Sequence, residues 1–76
     1  MKNEVISTSP DILSGTPVFK GTRVPIKNLF DYIETGESLE EFLIAFPSVK
    51  REQAIEVLEM AEHVLTSDEF LHENLA

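Results

Sequence analysis

The 76-residue chain has no cysteine, no tryptophan, one tyrosine, three glycines and two histidines. Without cysteine there are no disulfides, no thiolate metal ligands and no cysteine nucleophile. His63 and His72 fall short of the three or four converging ligands that a zinc site needs. Glu59 and His63, and Glu69 and Glu73, stand four residues apart, a spacing that a solvated charged helix face explains without a metal. No nucleophile elbow and no glycine-rich phosphate loop occurs. These gaps lead us to expect no enzymatic activity, no cofactor and no metal. Apolar runs long enough for a bilayer, about 18–20 residues, are absent, and nothing resembles a signal segment. A cytoplasmic protein without membrane contact is the expectation.

Positive charge is also scarce. Six Lys and Arg face fourteen Asp and Glu, a net charge of −8. The imbalance is segregated: residues 1–30 hold four cations and two acids, a net +2, whereas residues 31–76 hold two cations and twelve acids, a net −10. Phosphate backbones repel an acidic chain unless a local cationic face intervenes. A nucleic-acid contact must therefore use the first third or the Lys50–Arg51 pair, and the acidic remainder suits a basic protein partner.

What is present fits one small folded domain. Apolar residues make up 42% and charged residues 26%, a globular rather than disordered balance. A core this small is marginal alone, so association, including a homodimer, is expected. Residues 1–25 are expected as an extended and turn-rich arm. Within it Ser9-Pro10-Asp11-Ile12-Leu13-Ser14-Gly15 suits one helical turn capped by Ser9 and closed by Gly15. Two β-favouring stubs, around Val18 and Val24, flank Gly21-Thr22 as a tight turn or small hairpin. Pro17 and Pro25 should keep both stubs off a central strand.

Three helices follow, near 26–35, 39–46 and 51–66, forming a core over 26–66. Ile26, Leu29, Phe30 and Ile33 make one apolar stripe, with Pro25 before it and Gly36 after it. Ser38 and Glu41 form a capping box for the second helix, whose stripe is Leu39, Phe42, Leu43 and Phe46. In the third, Ala54, Val57, Leu58, Ala61, Val64 and Leu65 share one side, opposite Glu52, Glu56, Glu59 and His63. Pro47 to Lys50 is the length of a helix-turn-helix connection, with the third helix in the recognition position. The tail, 67–76, spaces Phe70, Leu71 and Leu75 as a helix would, but ten residues are too few to hold one without packing. It is expected to fray or to fold on a partner.

The run Gly15-Thr16-Pro17-Val18-Phe19-Lys20-Gly21-Thr22-Arg23-Val24-Pro25-Ile26 resembles the signature of domain-of-unknown-function family 433. Gly36-Glu37-Ser38, Phe46-Pro47-Ser48-Val49, and Leu58 with Ala61 continue the likeness over roughly residues 5 to 63. The resemblance implies a mostly α fold: a three-helix homeodomain-like or winged helix-turn-helix bundle with a short β-type N-terminal arm. It further implies an antitoxin-like role beside a PIN-like ribonuclease toxin, with autorepression through DNA, and no catalytic residues. A stand-alone helix-turn-helix transcription regulator is the alternative. Thr16 stands where the family commonly has Lys, which removes one cation from the block.

The candidate residues carry two readings each. Lys20, Thr22 and Arg23 could grip phosphate or carboxylate through two cations and a hydroxyl, or could serve a glycine turn structurally. Lys50, Arg51 and Gln53 occupy the start of the third helix, where base readers sit, or form an ordinary solvated helix start. Glu52, Glu56 and Glu59 would repel phosphates if that helix entered a groove. Ile55, Phe70, Leu71 and Leu75, with Glu56 and Glu59, are the candidates for a protein partner, although single exposed apolar residues are common.

Overall fold

Proline and glycine punctuation divides the chain into an arm and a set of helices. The computed structural model describes residues 5–75; the first four residues of the expected arm, and Ala76 of the expected tail, lie outside the described residues. The elements are β1 (Ile6–Ser7), a 3₁₀ turn (Leu13–Gly15), β2 (Val18–Phe19), α1 (Ile26–Glu34), α2 (Leu39–Ala45), α3 (Arg51–Leu65) and α4 (Asp68–Leu75). The molecule is thus mostly helical, with four helices and one two-stranded sheet among the described residues.

The arm corrects two expectations. Ser9 does accept from Asp11 N–H, at 3.2 Å, but the helical turn lies later, at Leu13–Gly15. It is left-handed, with φ of 50° at Leu13, 58° at Ser14 and 89° at Gly15. Two non-glycine residues in this region are uncommon. The second correction concerns β2. It pairs antiparallel with β1, Ile6 opposite Phe19 and Ser7 opposite Val18, while Val18 also bridges Pro25. The stub around Val18 is therefore flanked on both sides. The prolines permit this because they contribute carbonyls: Pro17 O accepts from Ile26 N–H at 3.0 Å.

The helices follow their signals closely. Glycine at 36, with φ of 89°, closes α1: Gly36 N–H donates to Ile33 O and Glu37 N–H to Tyr32 O, the paired bonds of a Schellman motif. The expected capping box opens α2, with Glu41 N–H to Ser38 Oγ at 3.0 Å and Ser38 N–H to Glu41 Oε1 at 2.6 Å. Val5, Phe19, Leu29, Phe42, Val49, Ala54 and Val57 form the buried cluster. Phe42 anchors it, with its ring 5.9 Å from Phe19, 5.7 Å from Tyr32 and 5.1 Å from Phe46, separations at which tilted aromatic pairs attract.

Two further expectations change at the C-terminal end. Val64 and Leu65, assigned to the core stripe, are 54% and 55% exposed; the stripe of α3 outruns the helices that could cover it. The tail, expected to fray or wait for a partner, is the fourth helix. Ser67 makes it possible: its hydroxyl donates to Val64 O at 2.9 Å and accepts from Phe70 N–H at 3.1 Å. The short helix is then held by packing, because half-buried Phe70 lies beside His63 and Val64 of α3.

Candidate binding surface

The arm turn and the start of α3 meet through one side chain. Gln53 accepts from Lys50 N–H through Oε1 at 2.9 Å and donates from Nε2 to Lys20 O at 3.0 Å. The first bond is the N3 half of a capping box; the second pins the 20–23 turn against the N-terminus of α3. Gln53, a candidate base reader, thus spends both ends of its amide within the chain. Thr22 is similarly engaged: its hydroxyl donates to Phe19 O at 2.8 Å and accepts from Val24 N–H at 3.0 Å. Gly21 adopts φ of 80°, as the tight turn requires.

The four candidate cations divide as well. The Arg51 guanidinium binds the Glu40 carboxylate, tying the start of α3 to the start of α2. That hydrogen bond holds the Glu40 carboxyl below its ordinary range and the Arg51 guanidinium above its own. Arg23 and Lys50 are exposed and make no ion pair among the described residues. Lys20 is exposed and its backbone N–H donates to Val5 O at 2.7 Å. Gln53 therefore brings the backbones of Lys20 and Lys50, both exposed residues, to the same side chain.

The opposite sign dominates α3. Glu52, Glu56, Glu59 and Glu62 are all exposed and form no salt bridge among the described residues. Ile55 lies among them, 40% exposed, as its position off the core stripe predicts. On α4, Phe70 is half-buried, Leu71 is exposed and Leu75 is 73% exposed. The candidate partner residues thus do not converge on a single spot: Phe70 serves the α3–α4 packing, and the rest stand on the outer face of the two helices.

A different surface was only partly visible in sequence. An open apolar groove of about 390 Å³ runs between α1 and α3, lined by Ile6, Ile26, Phe30, Val57, Met60, Ala61, Val64 and Leu65. Every described lining residue is apolar. Most of them belong to the stripes of α1 and α3; the signal that could have marked the groove was the length of the α3 stripe. No group of three or more His, Cys, Asp or Glu side chains able to hold a metal occurs among the described residues. No helix there is long and apolar enough to cross a membrane.

Fold and surface together define a small, acidic, mostly helical domain with an apolar groove among its described residues. The chain belongs to the family described as "Protein of unknown function (DUF433)", which matches residues 6–61. It is also 46% identical over 50 residues to "Uncharacterized protein y4eO" of Sinorhizobium fredii, an alignment covering 66% of this chain and 23% of that protein. The chain thus spans about a quarter of the length of that relative. No solved structure matches it.

Proposed function

We propose that this chain is antitoxin-like: it binds and neutralises a PIN-like ribonuclease toxin. The observation that carries the proposal is the row of exposed acids on α3, Glu52, Glu56, Glu59 and Glu62, none of them in a salt bridge among the described residues. A ribonuclease must present cationic surface to its RNA, and an anionic helix face competes for that surface. Binding by this route needs no chemistry from the chain. Leu71 and Leu75 on α4 supply exposed apolar area of their own. The test is co-expression with the product of the adjacent reading frame, followed by an RNA-cleavage assay. Stoichiometric loss of cleavage supports the proposal. Undiminished cleavage at an excess of this chain overturns it.

A second reading, operator binding by a homodimer, is favoured by the Gln53 bridge that brings the backbones of Lys20 and Lys50 to the same side chain. On this reading α2, the 46–50 turn and α3 act as a helix-turn-helix unit within a winged or homeodomain-like bundle. Phosphate contacts would come from Lys20, Arg23 and Lys50, and two-fold symmetry would match paired half-sites. A mobility shift with the chain's own upstream DNA tests it: Lys50→Ala should lower the slope of log affinity against log salt by about one. Absence of any specific shift at low salt excludes it.

A further inference from the structure

We infer that the α1–α3 groove seats an amphipathic helix of a partner protein whose apolar face is bordered by Lys or Arg. The inference rests on the proposed capture of a cationic partner, and adds where and by what kind of segment that partner is held. Shape comes first. From Val57 to Leu65 the α3 wall runs about 12 Å at 1.5 Å per residue, enough for two turns of a docked helix. Ile26 and Phe30 form the facing wall, and Met60, Ala61, Val64 and Leu65 the other. An open apolar trough between two helices accepts i, i+3, i+4, i+7 anchors.

Charge then selects the occupant. Glu56 lies one helical turn before Met60, and Glu62 lies three residues before Leu65, so both edges of the α3 wall carry an exposed carboxylate. On α1, Glu34 stands one turn after Phe30 and is exposed. The cation on that helix, Lys27, pairs with Asp31 at 2.8 Å and attracts Glu34 at longer range, so Glu56 and Glu62 of α3 carry the acidic border. A second copy of this chain would bring another −8 charge to an already anionic rim. A segment with flanking Lys or Arg meets apolar wall and acidic border together.

The probe is a designed helical peptide of about four turns, with Leu on one face and Lys beside it; its control carries Glu in place of Lys. Methyl-labelled full-length protein is titrated with each and followed by NMR. The Lys peptide should shift the methyls of Ile26, Val64 and Leu65, and the Glu peptide should bind at least tenfold more weakly. The double variant Val64→Asn, Leu65→Asn changes exposed positions, so the fold should persist, and it should bind the Lys peptide at least tenfold more weakly. Equal affinity for both peptides, shifts confined to Ile44 or Leu75, or groove methyls already covered by a second copy in concentrated solution would each overturn the inference. The ribonuclease assay separates the two levels. If the double variant neutralises the ribonuclease as well as the parent, the groove inference fails and the antitoxin reading stands. If the Lys peptide binds the groove but no ribonuclease is neutralised, the antitoxin reading fails and the groove stands.

Discussion

Replacing Gln53 tests whether its amide is a structural strap. Gln53→Ala removes two hydrogen bonds, one to Lys50 N–H and one to Lys20 O. Each is partly solvated, and a typical net contribution is about 0.5–1.5 kcal/mol, so the expected loss is roughly 1–2 kcal/mol. In a domain of this size each kcal/mol moves Tm by about 4–8 °C, which puts the variant roughly 5–15 °C below the parent. Gln53→Glu divides the effect. A carboxylate still caps Lys50 N–H and gains from the positive end of α3, but it cannot donate to Lys20 O. It should therefore retain most of the helix cap while releasing the arm. Thermal denaturation followed by circular dichroism gives the stabilities, and amide hydrogen exchange at Lys50 and at residues 20–24 locates them. The Ala variant should lose protection at both places, and the Glu variant only in the arm. A Gln53→Ala protein that melts within a degree of the parent, with exchange unchanged, would refute the strap.

Three further perturbations probe other parts of the fold. Thr22→Val keeps the side-chain shape but strands Val24 N–H and removes the bond to Phe19 O; urea denaturation should show a loss of about 1–3 kcal/mol, and Thr22→Ser should recover most of it. Phe42→Ala should cost about 3–5 kcal/mol against a total near 4–11 kcal/mol for a chain this long, so its melt should be shallow or absent, whereas a cooperative melt at the parental temperature would contradict the aromatic core. Glu40 titrates below its ordinary range because of Arg51, so its contribution is complete above the unfolded-state value, about 4.3, and is lost as pH falls through the lower folded-state value; Glu40→Gln should flatten the acid-side fall in Tm, and salt should shrink the difference between the two proteins.

Local signals made much of the helical fold legible. Ser38 and Glu41 announced the start of α2, and Pro25 and Gly36 framed α1, because caps depend on neighbours within one turn. The arm was less legible because its bonds are distant in sequence: Lys20 pairs with Val5, and Gln53 reaches Lys20 across 33 residues. Nothing in Leu13-Ser14 signals a left-handed turn, since neither residue favours positive φ. Ser67, Asp68 and Glu69 suit the start of a helix in the tail, but the support that α3 lends it through Phe70 is not visible in sequence. The groove is hard to read from the sequence for a geometric reason. An apolar stripe from Ala54 to Leu65 covers about 17 Å, longer than the nine residues of α1 or the seven of α2 can shield, and the surplus faces outward. Among the site candidates, Glu56, Glu59 and Ile55 were placed outward by helical period alone. The internal engagement of Gln53, Thr22 and Arg51 needed the tertiary structure.

On the antitoxin reading, the exposed acids of α3 capture a cationic protein surface. Calorimetric titration of the product of the adjacent reading frame with this chain and with its Glu56→Lys, Glu59→Lys variant, each at two salt concentrations, puts this to the test. The parent should bind tightly and more weakly as salt rises, and an equally stable variant should bind at least tenfold more weakly at low salt. Equal affinity for the two proteins, insensitive to salt, would contradict it.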